Sequence, residues 1–161
     1  MRIPIKFSGG YEIGRQDFGR PIVLIAAALK VKPEQFREAF SGVTPARDRP
    51  PTGAEARKNK EALLLVLKPL GVTNERLDEV SDHYRYQPQR GELWTHTAPD
   101  AHAIVENGKV KKIEISNPGA GFSSTPTASI PGHESIKLQV KIHLDEDLKK
   151  NGSIESIEIA K

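Results

Sequence analysis

The chain has 161 residues, of which 37% are hydrophobic and 28% charged. The hydrophobic fraction is enough to form a core and is too high for a chain that is disordered from end to end. The longest apolar run, Ile22 to Leu29, is far shorter than the roughly 18 residues of a membrane-spanning helix. The absence of cysteine excludes disulfides, thiolate zinc sites and cysteine nucleophiles. The net charge of +3 is uneven, because the first 90 residues are basic and the remainder is slightly acidic.

The first part of the chain predicts a short strand, a loop and four helices. The strand covers Ile3 to Phe7 and is followed by a glycine-containing loop. Apolar residues three and four apart then predict helices over Ile22 to Leu29, Pro33 to Phe40, Gly53 to Leu70 and Asn74 to about Asp82. Prolines 21 and 33 suit a first helical turn, and Thr73 suits an N-cap.

These four helices read as two copies of one helical hairpin. A shift of 41 positions places apolar residues on apolar residues and glutamates on glutamates. The matched pairs are Leu24 with Leu65, Ile25 with Val66, Leu29 with Leu70, Val31 with Val72, Phe36 with Leu77, Glu34 with Glu75 and Glu38 with Glu79. We expect each copy to bury its apolar stripe against the other, although helical periodicity alone can produce such matches.

From Ala101 onwards the apolar residues alternate, which predicts strands. Asn107-Gly108 separates two such runs and favours the positive φ angles of a type I′ turn. A second hairpin follows, from Leu138 to Ile159, with a longer polar connection that ends at Asn151-Gly152. The segment from Asn107 to Ile115 matches the segment from Asn151 to Ile159 at an offset of 44. We therefore expect a duplicated β-hairpin whose two copies share one apolar face.

Together these patterns predict an α+β protein. Its helical half contains the duplicated helical hairpins, and its β half is an antiparallel subdomain of duplicated hairpins. The predicted organisation is an N-terminal strand and loop over 1–20, the helical subdomain over 21–82, an aromatic and polar linker over 83–100 and the β subdomain over 101–161.

The segment between the two β-hairpins carries a resemblance. Asn117-Pro118-Gly119-Ala120-Gly121-Phe122, continuing to Ile130, together with the preceding Asn107-Gly108-Lys109-Val110, resembles the glycine-x-glycine-aromatic β repeat of bacterial surface and phage tail proteins. Phe122 stands where tyrosine is usual. Since those proteins are mostly structural or adhesive, the resemblance implies a folding role for the motif.

A second resemblance covers nearly the whole chain. The stretches Gly9-Gly10-Tyr11, Gly19 to Leu29, Phe36 to Ala46 and Gly71 to Ser81 are similar to an uncharacterised exported protein family of planctomycetes and related bacteria. Members of that family begin with a secretory signal peptide, whereas this sequence starts directly at the domain. The resemblance implies a periplasmic or extracellular location and a fold, and it implies no particular chemistry.

The linker between the halves is the predicted binding site. The stretch from Asp82 to His96 contains the only tryptophan and two of the three tyrosines, beside a subdomain boundary where ligand sites are common. The predicted ligand-binding residues are Tyr84, Tyr86, Arg90, Trp94 and His96. In the alternative interpretation, the aromatic side chains are wedges that seal the helical half onto the sheet.

Catalysis is the competing hypothesis. A hydrolase-like enzyme could use His83 or His96 as a base beside a carboxylate at the junction. The further acid and base candidates are Asp82, Glu92, Asp100 and His102. No zinc helix motif, nucleophile elbow or phosphate-binding loop occurs, so no catalytic residue is assigned.

Metal and nucleic-acid binding are weaker hypotheses. Asp145, Asp147 and Asn151 are spaced loosely like calcium ligands, but the glycine and glutamate of a helical calcium loop are absent, which favours a solvated loop. A cluster of lysines on one strand, Lys109, Lys111 and Lys112, is offset by Glu106 and Glu114.

The sequence thus predicts a non-catalytic exported interaction module, associated with the cell envelope, that binds an unidentified ligand or protein. It predicts no cofactor, no metal, no nucleic-acid partner and no membrane span. The exposed edge of the last hairpin is open to pairing with a second chain, which would give a homo-oligomer.

Overall fold

The computed structural model describes residues 1–13, 21–40, 52–85 and 93–160. Within them the helices are α1 (Ile22–Leu29), α2 (Pro33–Phe40), α3 (Gly53–Leu67) and α4 (Asn74–His83), and a 3₁₀ turn, Lys68–Leu70, extends α3. The strands are β1 (Arg2–Pro4), β2 (Lys6–Ser8), β3 (Asp100–Glu106), β4 (Lys109–Asn117), β5 (Thr127–Ser129), β6 (Leu138–His143) and β7 (Ser153–Ile159). The α+β class is confirmed.

The two helical turns have the same backbone hydrogen bonds. Lys30, after α1, and Gly71, after the 3₁₀ turn, both adopt the left-handed conformation, with φ of 61° and 93°. At each turn two amide groups donate back to the end of the preceding helix, which satisfies carbonyls that have no partner within it. The bonds are Lys30 N to Ala27 O and Val31 N to Ala26 O, and 41 positions later Gly71 N to Lys68 O and Val72 N to Leu67 O.

Burial at the matched positions agrees only in part. Phe36 and Leu77 are both buried, as the matched stripes predict. However, Leu24 is fully buried whereas Leu65 is 80% exposed, and Leu29 is buried whereas Leu70 is 42% exposed. The expectation that both copies bury these positions is wrong at these two pairs, because the β half packs onto α1, whereas no described residue covers Leu65 of α3 in the same way. The duplication itself stays a prediction.

In the described residues the strands form three antiparallel sheets, with the orders β1-β3-β4, β2-β5 and β6-β7. The N-terminal strand predicted over Ile3 to Phe7 is divided into β1 and β2, which pair with different partners, β3 and β5. Between them the amide of Ile5 donates to the carbonyl of Ala101 at 2.9 Å. The first residues of the chain therefore belong to the β half.

The hairpins β3–β4 and β6–β7 have the same register. Both pairings shift by one residue at equivalent places, Lys111 in β4 and Glu155 in β7, which are 44 positions apart, and β3–β4 has a second shift at Ser116. The equivalent apolar pairs are Val105–Val110 with Ile142–Ile154, and Ala103–Ile113 with Val140–Ile157. The connections also differ: Asn107 and Gly108, with φ of 53° and 76°, form the predicted two-residue turn, whereas residues 144–152 connect β6 to β7.

Apolar side chains from the three sheets pack together in the β half. Ile5, Ala101, Phe122, Ala128, Ile154 and Ile157 form one buried cluster, and Ala103, Val105 and Ile130 form another. The helices share a separate cluster that includes Tyr84 and Trp94. The half-buried ring of Tyr11 packs against both the helical cluster and the first β cluster. Tyr11 therefore marks the junction of the two halves.

Candidate functional site

Asn151 joins the two halves from inside the protein. Its side chain is fully buried, and its amide nitrogen donates to the carbonyl of Leu24 at 2.7 Å and to the hydroxyl of Tyr84 at 2.9 Å. Its amide oxygen accepts from the backbone of Asp145 at 3.0 Å. Because buried polar groups are costly without partners, these bonds fix the 144–152 loop against α1 and the end of α4.

The glycine-x-glycine-aromatic segment lies against this loop. The amides of Gly121 and Phe122 donate to the carbonyls of Asn151 and Gly152 at 2.9 and 3.0 Å. The carbonyl of Gly121 in turn accepts from the indole nitrogen of Trp94 at 2.8 Å. The segment therefore connects the last hairpin to Trp94.

The structure separates the predicted ligand-binding residues. Tyr84 and Trp94 are 2% and 1% exposed, and both belong to the helical cluster. They occupy the junction as wedges, the alternative that the sequence left open. His96 is exposed, and Tyr86 and Arg90 lie outside the described residues. His96 is thus the predicted residue that the structure places on the surface of the junction.

Around His96 lies a surface that we call the junction surface, formed by Tyr11, Glu12, His96, Ser123 and Ser124. The ring of Tyr11 stacks on the buried ring of Phe122, with centroids 5.0 Å apart and planes inclined by 19°. Trp94 meets Tyr11 edge-on at 6.1 Å, and the imidazole of His96 lies 5.1 Å from it. A partly exposed aromatic ring thus rests on a rigid aromatic base.

The hydrogen bond of His96 determines which ring nitrogen carries the proton. Its Nδ1 lies 2.8 Å from the carbonyl oxygen of Trp94. A carbonyl oxygen only accepts, so Nδ1 carries the proton, and in the neutral imidazole Nε2 is left as an acceptor. His96 therefore offers an acceptor beside the ring of Tyr11.

Glu12 forms the acidic rim of the junction surface. Its carboxylate accepts from the amide of Gly10 at 2.8 Å and from the hydroxyl of Ser124, and its carbonyl accepts from the hydroxyl of Ser123 at 2.7 Å. The bond from Ser124 is the largest cause that holds the pKa of Glu12 below its ordinary value. Glu12 is therefore ionised at neutral pH and gives the surface a fixed negative charge.

Tyr11 was missed by the sequence reasoning. A usable signal was present, since a glycine precedes an aromatic residue both at Gly10-Tyr11 and at Gly121-Phe122. A Cβ atom at Gly10 would lie 2.4 Å from the ring of Phe122, and one at Gly121 would lie 2.6 Å from Cβ of His96. Both glycines are needed for the close approach of the two segments.

In the part of the chain that it covers, the structure does not place His83 or His96 in an ion pair, although the charge of Glu79, one turn earlier in α4, acts on His83. His83 is half-buried with its ring edge-on to Tyr84 at 4.8 Å, and burial lowers its pKa. His102 contacts Glu114 at 3.6 Å on the β1-β3-β4 sheet. No side chain is thereby assigned as a base, and the hydrolase hypothesis stays a prediction.

The carboxylates of that hypothesis are equally dispersed. Asp82 is exposed and forms an ion pair with Arg85 at 2.9 Å, Asp100 is exposed at the start of β3, and Glu92 lies outside the described residues. The closest histidine–carboxylate pair among the described residues is one that the sequence reasoning did not select, His143 with Asp145 at 2.9 Å.

The side chains considered as calcium ligands form hydrogen bonds within the 144–152 loop instead. Asp145 accepts from the backbone of Asp147 at 2.9 Å, and Asp147 accepts from the backbone of Lys149 at 2.9 Å. Asn151 points into the buried interface. Among residues 1–13, 21–40, 52–85 and 93–160, no three histidine or acidic side chains are grouped so that they could hold a metal ion.

Comparison with protein-family models, with curated proteins and with solved structures found no match. The two resemblances drawn from the sequence therefore stay predictions. In the residues that the structure covers, no helix is long and apolar enough to cross a bilayer.

Proposed function

We propose that this protein is a non-catalytic binding module of the cell envelope, and that its ligand contacts the junction surface. The observation that supports the proposal is the partly exposed ring of Tyr11, stacked on Phe122 at 5.0 Å and flanked by exposed His96. An aromatic face with hydrogen-bonding groups at its edge is the usual composition of a recognition site.

Rigidity favours binding at this surface. Phe122 and Trp94 are buried, and backbone bonds from Gly121 and Phe122 tie the base of the site to the last hairpin. A ring held in one orientation before the ligand arrives loses little conformational entropy on binding. The acceptor at His96 and the negative charge at Glu12 would select a ligand with hydrogen-bond donors or positive charge.

The test is co-sedimentation with lipid-free cell-wall sacculi. His96→Ala changes an exposed side chain, and Tyr11→Leu keeps an apolar group over Phe122 while it removes the ring. Since aromatic hot spots contribute about 2 kcal/mol or more, we expect Tyr11→Leu to weaken binding by at least about tenfold, and His96→Ala to weaken it less.

His133→Ala is the matched control, because it removes a partly exposed histidine from the turn before β6. Circular dichroism and urea unfolding establish that each variant is folded. If folded Tyr11→Leu and His96→Ala proteins sediment as the unchanged protein does, the junction surface is not the binding site. If no protein sediments with sacculi, the assignment to the cell wall is wrong.

A further inference from the structure

The outer face of α3 combines basic residues with a leucine. At 3.6 residues per turn, Lys58, Glu61, Leu65 and Lys68 lie along one side of the helix and its 3₁₀ extension, and Arg57 lies next to them. We call these five residues the α3 outer face. All five are exposed, whereas Leu67 on the opposite side is fully buried.

The leucine on this face belongs to none of the hydrophobic clusters formed by the described residues. Leu65 is 80% exposed, and Leu70, just beyond the end of the same helix, is 42% exposed. Single apolar residues on a surface are common, but this one projects from the middle of a row of charged side chains. It is placed where it could enter an apolar phase that the basic residues approach from outside.

The basic side chains of the α3 outer face also differ from Lys60 in having no polar partner among the described residues. Lys60, on another side of the helix, forms an ion pair with Asp78 at 2.8 Å. By contrast, no hydrogen bond or ion pair joins the side chain of Arg57, Lys58 or Lys68 to any other described residue. Glu61 is the one acidic member, so the five residues carry a net charge of +2. The face therefore attracts an anionic surface.

We propose that the α3 outer face is a peripheral docking surface for an anionic lipid bilayer, with Leu65 inserted at the interface and the basic residues over the headgroups. The combination of positive charge with an exposed leucine distinguishes between the candidate partners. A nucleic acid would match the charge but would offer Leu65 no apolar phase. A second copy docked on the same face would bring two positive surfaces together. A bilayer with anionic headgroups satisfies both features.

The experiment is flotation with vesicles of phosphatidylcholine containing phosphatidylglycerol, compared with vesicles of phosphatidylcholine alone. We expect binding to the anionic vesicles only, and weaker binding as salt is raised. Lys58→Ala should lower the partition coefficient about fivefold, because each basic residue near an anionic surface contributes about that factor. Leu65→Ser should lower it about tenfold, because burial of the side chain is lost.

Two matched controls come from the β half. Lys109→Ala removes an exposed lysine from β4, and Ile159→Ser replaces an apolar residue that is 41% exposed at the end of β7. Neither should change vesicle binding. The substituted side chains on α3 are exposed, so we expect all variants to fold, as urea unfolding can verify.

Three results would overturn the proposal. The first is equal binding to neutral and anionic vesicles, or none to either. The second is Leu65→Ser binding as the unchanged protein does while Lys58→Ala does not, which would indicate an anionic polymer. The third is a concentration-dependent dimer that Leu65→Ser abolishes. Vesicles contain no cell wall and sacculi contain no lipid, so this test and that of the junction surface fail independently.

Discussion

The side-chain amide of Asn151, at the end of the loop between β6 and β7, donates to the hydroxyl of Tyr84, at the end of α4, over 2.9 Å. Both side chains are buried, at 0% and 2% exposure. This bond joins residues 67 positions apart in the chain and connects the helical half to the β half. It also explains why an asparagine that resembles a turn residue in the sequence is a buried interface residue.

Asn151→Ala should lower the free energy of unfolding by about 2 to 4 kcal/mol, because it leaves the amide of Asp145 and the hydroxyl of Tyr84 without these bonds. Urea unfolding measures the loss. Asn74→Ala, at the exposed first residue of α4, is the control and should change stability by no more than about 0.5 kcal/mol. Equal effects of the two substitutions would mean that the Asn151 bonds do not stabilise the interface.

Gly152 and Gly108 have nearly the same φ, 72° and 76°, but different surroundings. A Cβ at Gly152 would lie 2.6 Å from the backbone nitrogen and oxygen of Phe122, whereas one at Gly108 meets nothing within 4 Å. Gly108→Ala should therefore cost only the backbone strain, about 1 kcal/mol. Gly152→Ala should cost at least about 3 kcal/mol, since strain and overpacking add.

Thermal and urea unfolding of both glycine variants test this prediction. Because the two glycines have similar φ, Gly108→Ala serves as the control for backbone strain, and the additional loss in Gly152→Ala measures the effect of crowding. A loss at Gly152 no larger than the loss at Gly108 would show that the 144–152 loop can move away from Phe122. In that case the base of the junction surface is not rigid, and the case for preorganised binding weakens with it.

Glu12 should make stability depend on acidic pH. Its pKa in the folded protein lies below the ordinary value of 4.5, chiefly because of the bond from Ser124. The contribution of Glu12 is therefore complete above the unfolded pKa and is lost as the pH falls through the folded value. Urea unfolding across this range should show Glu12→Gln less stable than the unchanged protein at neutral pH, with the difference shrinking on acidification.

Glu34→Gln is the control for Glu12→Gln. It removes an exposed carboxylate from α2, away from the hydrogen bonds that Gly10 and Ser124 donate to Glu12. Urea unfolding of this variant over the same pH range measures the effect of losing an exposed carboxylate elsewhere in the protein. A difference for Glu12→Gln that stays constant with pH would contradict the assignment of the bonds from Gly10 and Ser124 to the carboxylate.

Lys30 occupies a left-handed position, with φ of 61°, that glycine fills at the equivalent turn as Gly71. Lys30→Gly removes that strain and also loses the exposed ion pair with Glu146, so we expect a gain of up to about 1 kcal/mol. Lys30→Ala keeps the strain and loses the same ion pair, so its stability measures the effect of losing the ion pair alone. A Lys30→Gly protein less stable than Lys30→Ala would contradict this account.

Local signals predicted the secondary structure because the physics behind them is local. The side chain of Thr73 accepts from the amide of Arg76 as an N-cap, and Asn107-Gly108 forms its two-residue turn. Helix α2 covers the predicted residues, Pro33–Phe40. Strand pairing was harder to predict: the N-terminal segment pairs with β3 and β5, about 100 and about 120 residues away, and no local pattern encodes that choice.

The candidate site could be predicted only in part. The sequence located the junction and His96, but it also selected Tyr84 and Trp94, which the fold buries. Aromatic side chains suit both an interface core and a ligand platform, so composition cannot separate the two roles. Tyr11 was missed because it approaches His96 and Phe122 only after the N-terminal segment has joined the β half.

By itself the sequence determined the four helices, the two hairpins and most turns, since periodicity, caps and glycine conformations act within a few residues. It did not indicate strand β5 or the division of the N-terminal strand into β1 and β2. The tertiary structure alone decided which matched pairs are buried in both copies, as Phe36 and Leu77 are, and which in only one, as with Leu24 and Leu65. It also decided which aromatic side chains remain at the surface. Burial depends on what packs against a segment from elsewhere in the chain. Two segments with the same pattern therefore acquired different environments, one beneath the β half and one facing solvent.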